Sequence, residues 1–316
     1  MACRLRIPLH VTGLWLPVRV PGDPLRSGSL GAGLLLEPGV EAVARPCSPL
    51  GGGGVRCGFR LEAPGSRGGV PGSVAELYRF DPGLPSLGRV EARSPAPIAV
   101  GYAVSAASAL AAALGLGALG GRGLDGMAAL AHAAEVEAGT GLGDVIAIYQ
   151  GRMLVVRTAP GAPGLGRVES IPVDAGAVVA VEHGPPMETG EMHRALGLRL
   201  YSLAAPRLAR LLEEPGLDRF LEEARVFSIE AGFAPGGELR EALESMRRRG
   251  RLRGWYSKKR VTVVVPEEGW LEDVVSELRR LGLEPRVFSP APAPASITCG
   301  RVRLGERWGE EGEEGG

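Results

Sequence analysis

Residues 97–114 read PIAVGYAVSAASALAAAL, and the fold turns on what this stretch is. It lies inside a longer run, Ser94 to Gly121, that carries no charged residue and exceeds the span of a membrane helix. Its residues are mostly Ala and Gly rather than Leu, Ile and Phe, and Pro95 and Pro97 stand at its start, so transfer into lipid would be weak. Ala106 to Leu114 has high helix propensity and runs into Gly115 and Gly117, which suit a helix C-terminus. Two readings follow. In one, this is an ordinary buried helix with Ser105 as its N-cap. In the other, a strand turns through Gly101 into a helix beginning near Ser105, so that backbone N–H groups and the positive helix end point at one place. Such a place binds an anion without a lysine, and a Walker-type loop is excluded because GK[ST] occurs nowhere in the chain.

Downstream, residues 132–145 read HAAEVEAGTGLGDV. His132 and Glu135 are three apart and share a helix face, and Gly139, Gly141 and Gly143 then swing the chain back to put Asp144 at a loop end. Two carboxylates separated in this way can take two roles. Glu135 would hold Mg²⁺ on the β- and γ-phosphates of ATP, while Asp144 orients or deprotonates an acceptor hydroxyl. The plainer alternative makes Glu135 a solvated helix residue and Asp144 a turn former.

Around these two segments the chain reads as α+β in two halves. The first contains strands at Leu5–Thr12, Leu34–Leu36 and Arg89–Arg93, a hairpin tip at Gly51–Gly54, and a short helix, Val74–Tyr78, within a Pro- and Gly-rich excursion. A helix over Leu124–Ala138 follows, then a strand pair, Val145–Tyr149 and Arg152–Arg157. After Gly161 come a strand-like run, Ile171–Glu182, helices at Met187–Leu200, Ala205–Leu212, Leu217–Gly232 and Leu239–Arg249, and a β-α-β ending: Val261–Val265, Trp270–Leu281, Pro285–Phe288. The expected boundaries are residues 1–160, residues 161–304, and a disordered acidic tail over residues 305–316.

At roughly 150 residues per domain, a chain of 316 residues suggests two lobes with a cleft. Lys plus Arg equals Asp plus Glu, 36 each, so no nucleic acid or anionic membrane is expected, and the ligand should be small. Cys3, Cys47, Cys57 and Cys299 are scattered, with neither zinc spacing nor the density of a disulfide scaffold, and the N-terminus lacks a signal-peptide pattern. A cytoplasmic protein is the expectation.

The combined pattern resembles the GHMP kinase superfamily. Its usual second motif is P-x-x-x-G-L-G-S-S-A, which Pro97, Gly101, Ser105 and Ala106 match, with Ala103 where a glycine and Val104 where the first serine is usual. Within it, DPLRSGSLGAGLLLE (residues 23–37), GYAVSAASALAAAL (101–114) and AHAAEVEAGTGLGDV (131–145) most resemble the archaeal pantoate kinases. The resemblance implies a two-lobed α+β fold, with an N-terminal β-α lobe of a ribosomal-protein-like type and a ferredoxin-like C-terminal lobe. It implies transfer of the γ-phosphate of ATP to the primary hydroxyl of pantoate in coenzyme A biosynthesis, with Mg²⁺ as cofactor and a homodimer as the common assembly.

Carried over, Pro97, Gly101, Tyr102, Ala103, Val104, Ser105 and Ala106 would bind nucleotide, Ser105 and Glu135 the metal, and Asp144 would act on the hydroxyl. Arg157 would pair with the pantoate carboxylate, Ser29 and His132 would hold the rest, and Thr189 would come from the second lobe's cleft wall. His10 and Tyr149 read as structural. Two departures stand out. The first motif keeps only a Pro and a Gly in PLHVTG, Pro8–Gly13, and in place of a glycine-rich third motif stands RGRLRGWYSKKRVTV, Arg249–Val263, where Arg251, Arg253, Lys258 or Lys259 could supply charge instead, although a solvated basic turn before the Val261 strand is the plainer reading. Alternatives are a homoserine- or mevalonate-type kinase, a non-catalytic nucleotide-binding protein of the same fold, or a membrane protein built on Ser94–Gly121.

Overall fold

Two long strands rich in β-branched and leucine residues, β1 (Ala2–Val18) and β2 (Gly28–Arg45), run antiparallel from Cys3 opposite Ala44 to Val18 opposite Gly28. The structure, a computed structural model, describes residues 1–47, 57–66, 70–187 and 189–300. The register shifts between Ile7 and Leu9, where the cis Glu37–Pro38 bond and Gly39 bulge out of β2. A Cβ on Gly39 would stand 2.1 Å from the Ile7 carbonyl oxygen, so only glycine fits there.

The far edge of β2 serves three neighbours in turn. Gly31–Leu34 pair with β5 (Leu154–Ala159), Leu36 and Glu37 with β10 (Arg286–Pro290), and Glu41–Arg45 with β4 (Arg89–Arg93). β3 (Gly58–Glu62) runs parallel to β4, β6 (Arg167–Ile171) pairs with β5, and β11 (Ser296–Gly300) lies along the outer edge of β1. Through β10 the sheet continues into β7 (Val178–Glu182), β9 (Val261–Pro266) and β8 (Leu252–Lys258). The two halves of the chain thus share one hydrogen-bonded sheet.

The uncharged stretch becomes α2 (Val104–Leu119), the central helix, buried from Val104 to Gly117 apart from half-buried Ser105. Its small side chains let α1 (Gly72–Phe80), α3 (Leu124–Glu137), α4 (Asp144–Gln150) and the sheet approach from all sides. A Cβ on Gly117 would meet Met127 Cγ at 2.4 Å. The absence of charge therefore reflects a core position. Among the described residues no helix is long and apolar enough to cross a membrane.

The second half adds α5 (Thr189–Leu196), α6 (Arg199–Glu213), α7 (Leu217–Glu230), α8 (Gly237–Arg248) and α9 (Leu271–Arg280). Alternate residues of its strands face opposite ways. Tyr256 and Val263 join the main core, whereas Trp255, Val264, Val179 and Val181 form a separate core with Leu243, Val274 and Leu278 of α8 and α9.

Several expectations are corrected. Val145–Tyr149 is helical, because a short run apolar on every side has no period to separate strand from buried helix. Ile171–Glu182 breaks into β6 and β7, with Pro172 to Ala177 between them. The expected helix over Met187–Leu200 ends at Leu196, where Gly197 takes φ of 51°. The strand that closes the expected β-α-β unit, β10, lies beside β7 and β2 rather than β9. The cysteines are paired: Cys3 with Cys299, where β11 returns to β1 across the whole length of the chain, and Cys47 with Cys57, ten positions apart. The hairpin tip at Gly51–Gly54 and the acidic tail lie outside the described residues.

Candidate active site

The loop before α2 takes a conformation that alanine rarely adopts: φ is 65° at Ala99 and 56° at Ala103, with 134° at Gly101 between them. Ala103 immediately precedes the first turn, so the helix begins at Val104 and Ser105 lies one residue inside it. Positive φ outside glycine costs of order 1–3 kcal/mol and persists only where surroundings impose it. Here three elements do so. His10 N–H donates to the Tyr102 carbonyl at 3.2 Å, Arg260 N–H to the Val100 carbonyl at 3.0 Å, and Met187 N–H to the Ala99 carbonyl at 3.1 Å. A Cβ on Gly101 would lie 2.7 Å from the Lys258 carbonyl oxygen and 2.6 Å from Val261, so the turn between β8 and β9 is seated directly on the loop. The Tyr102 hydroxyl donates to Glu182 at 2.5 Å.

The turn that packs on Gly101 also reaches, through Lys258, a pocket of ≈ 320 Å³, mouth included. Thr12 and Trp15 of β1, Ser29 of β2, Arg157 of β5, the turn Gly141–Asp144, Thr189 and Met192 of α5, and Lys258 line it. Asp144 opens α4 and is buried. Its Oδ1 accepts hydrogen bonds from His10 Nδ1 at 2.7 Å and Thr12 Oγ1 at 3.1 Å, and Lys258 Nζ stands 3.7 Å away.

Burial alone would raise the pKa of Asp144, yet the Lys258 charge, then the His10 hydrogen bond and Arg157, hold it well below the usual carboxylate range. His10 is lowered to about 4, chiefly by burial, so its ring is neutral, and an ionised Asp144 fixes the proton on Nδ1. Among the described residues His10 Nε2 has no partner.

Glu135, on α3, goes the other way. Burial first, and the neighbouring Asp144 second, raise it well above its ordinary value against the pull of Lys258 and Lys259. Its carboxylate lies where a side chain on Gly141 would be, 2.7–2.8 Å from that virtual Cβ. Gly143 plays the same part on the other side of the turn, since its missing side chain leaves room for Ser29 Oγ and the Arg157 guanidinium. Arg157 is buried, with Nη2 donating to the Leu14 carbonyl at 3.5 Å while Nε and Nη1 have no partner among the described residues. Burial lowers its pKa to about 10, partly countered by Asp144, so it stays a cation.

Ser29, Asp144, Arg157 and Thr189 therefore meet in one pocket, with Glu135 coupled to it electrostatically. Thr189 Oγ1 donates to the Thr140 carbonyl at 2.7 Å and accepts from Lys259 Nζ at 2.6 Å, which ties α5 to the glycine-rich turn. His132 does not line the pocket. It is buried, and its Nε2 bonds the Ser27 carbonyl at 2.8 Å, steadying the chain that enters β2. Ser105 is also off the pocket wall, with its Oγ 2.7 Å from Ser73 Oγ of α1.

Sequence reasoning took His10 for structural, named Lys258 and Lys259 only as alternative sources of charge in a turn read as solvated, and missed Thr12 and Ser73. His10 and Thr12 are two apart on one strand, hence on one face, which was a usable signal. The two lysines, taken for a solvated turn, are both buried.

A family model described as "GHMP kinases N terminal domain" matches residues 72–152, the span from α1 to α4 that carries Ser105, Glu135 and Asp144. The pantoate kinase of Thermococcus kodakarensis is 34% identical over 244 residues, covering 75% of this chain and 78% of that protein. The chain belongs to the pantoate kinase family. A second pantoate kinase, from Methanospirillum hungatei, is 34% identical over 163 residues, covering 50% of this chain and 53% of its own. A solved structure described as a phosphotransferase related to the CoA biosynthesis pathway superposes with a TM-score of 0.76 at 26% identity, covering 94% of this chain and 99% of that one. This is the two-lobed α+β fold of the GHMP kinases. In this pantoate kinase family member, no group of three or more His, Cys, Asp or Glu converges among the described residues. A magnesium ion needs less, because it is commonly held by one or two carboxylates together with substrate phosphates.

Proposed function

We propose that this chain transfers the γ-phosphoryl group of ATP to the primary hydroxyl of pantoate, forming 4-phosphopantoate. One observation carries the reading. A buried guanidinium, two of whose nitrogens have no partner among the described residues, shares a small pocket with an aspartate held ionised by a lysine and a histidine hydrogen bond, and hydrogen-bonded by Thr12. A hydroxy acid presents a carboxylate for the first and a hydroxyl for the second. Arg157 would take the carboxylate as a fork, and Ser29 and Thr189 offer hydroxyls to the remaining oxygen.

The strongly lowered pKa of Asp144 defines its part. It is a weak base at neutral pH, so it orients the hydroxyl through a hydrogen bond and receives the proton late, once the oxygen has begun to bond to phosphorus. The clamped loop from Pro97 through Gly101, Tyr102, Ala103 and Val104 to Ser105 and Ala106, with the N-terminus of α2, would bind the nucleotide phosphates.

Glu135 and Ser105 offer oxygens suited to Mg²⁺, and the buried acid fits the role, since a cation would stabilise the charge that burial now opposes. Mg²⁺ bound there would neutralise charge on the β- and γ-phosphates. A cytoplasmic location supplied with ATP, and a homodimer, belong to the same reading. The test is ATP- and Mg²⁺-dependent phosphate transfer over a panel of hydroxy acids. Turnover of pantoate is expected, and turnover of homoserine or mevalonate without pantoate would move the chain to a sibling activity.

A further inference from the structure

Of the 36 Lys and Arg residues only two are lysines, and they are adjacent: Lys258 ends β8 and Lys259 starts the turn into β9. They occupy the position where a glycine-rich phosphate motif is missing. A compact ammonium suits a narrow site that a planar guanidinium fork does not.

The backbone of this turn is fixed on the loop before α2. The Lys258 carbonyl oxygen is 2.7 Å from where a Gly101 Cβ would be, and Arg260 N–H bonds the Val100 carbonyl. From that anchor the Lys258 side chain, 9% exposed, reaches the pocket wall, its Nζ 3.7 Å from Asp144 Oδ1 and 6.0 Å from the Trp15 ring centroid. At 3.7 Å it pairs with Asp144 by charge but lies beyond hydrogen-bond reach. Among the described residues no hydrogen bond of the Lys258 ammonium is found. The ammonium thus faces the pocket beside Asp144, while the backbone of the same residue sits against Gly101 of the loop before α2.

Resting on the kinase reading above, we propose that Lys258 is a catalytic cation that contacts the phosphoryl group in flight. The bond from the γ-phosphorus to its bridging oxygen breaks with the electron pair leaving on ADP. The pantoate hydroxyl oxygen bonds to phosphorus, and its proton passes to Asp144 and then to water. Charge on the equatorial oxygens is met by the Lys258 ammonium, which supplies from the second lobe what the absent glycine-rich motif would supply through backbone N–H groups.

The experiment measures turnover, together with binding of a non-hydrolysable ATP analogue and of ADP, each with Mg²⁺, for the wild type, Lys258→Met and Lys258→Arg. Lys258→Met should lower kcat about 10²- to 10³-fold, the usual effect of removing one transition-state donor. It should weaken the analogue about tenfold and leave ADP within about twofold, since only the analogue carries the γ-phosphate. Lys258→Arg, which keeps the charge, should recover part of the analogue affinity. Near-wild-type kcat and analogue affinity in Lys258→Met overturns the proposal, and so does equal loss of analogue and ADP affinity, which marks a structural role. Should Lys258→Met not fold, Lys258→Arg decides: its analogue affinity must fall more than its ADP affinity, and an equal fall overturns the assignment. A wild-type protein inactive on pantoate defeats the kinase reading instead, and the nucleotide comparison still reports on Lys258.

Discussion

Asp144 and Glu135 are both buried carboxylates that feel the charge of Lys258, yet their pKa values move in opposite directions. The difference is local. Asp144 accepts two hydrogen bonds and has Lys258 at 3.7 Å, whereas Glu135 meets mainly desolvation and the charge of Asp144. Separated titrations of this kind keep one acid ionised as an acceptor while the other is pushed toward its neutral form. Arg157 completes the polar set, and its geometry matters more than its charge. Arg157→Lys keeps a cation but loses the fork, so the KM for pantoate should rise at least tenfold, about 1.4 kcal/mol, while kcat falls less. Steady-state kinetics with pantoate varied check this, and an unchanged KM would remove Arg157 from the carboxylate site.

At the scale of elements, the decisive unit is the loop and first turn around Gly101, clamped by β1, the β8–β9 turn and the residues before α5. Gly101→Ala would put a Cβ 2.6–2.7 Å from Val261 and the Lys258 carbonyl at a φ of 134°, which alanine avoids. Nucleotide affinity should fall about tenfold or more, and stability by about 1–3 kcal/mol, from overpacking and backbone strain. Calorimetry with an ATP analogue and a denaturant titration would check both, and wild-type values in each would show that the loop is not under this constraint.

Much of this element was legible, because an Ala-rich uncharged run ending in glycines can be little other than a core helix once its weak lipid transfer is weighed. The short helix α4 was not, since VIAIY is apolar on every side and buried on nearly all of them. Lys258 and Lys259 were not either. Nothing local marks them as buried; only the docking of their turn on Gly101, more than 150 positions earlier in the chain, brings them to the pocket.

At the scale of the whole molecule, the sheet runs unbroken from β11 through β1, β2 and β10 to β8, and the pocket opens where the two halves meet. Residues from β1, β2, β5, the α3–α4 turn, α5 and β8 all reach it, so the site exists only when both halves are folded together. The Cys3–Cys299 cross-link closes nearly the whole chain, its ends separated by 296 positions, a separation that hid the pairing in the sequence. Such closure restricts the unfolded chain, and a native disulfide typically contributes about 2–5 kcal/mol. Reductant should therefore lower the unfolding temperature of the wild type more than that of Cys3→Ser, and equal shifts would argue against the cross-link.

The most direct test of the central claim compares wild type and Asp144→Asn for ATP-dependent formation of 4-phosphopantoate and for binding of an ATP analogue. The account predicts pantoate phosphorylation by the wild type, and in Asp144→Asn a loss of turnover of at least about 10²-fold with nucleotide affinity kept, as expected for a group that acts on the acceptor hydroxyl. Full turnover in Asp144→Asn, or a wild type that phosphorylates no hydroxy acid, would contradict it.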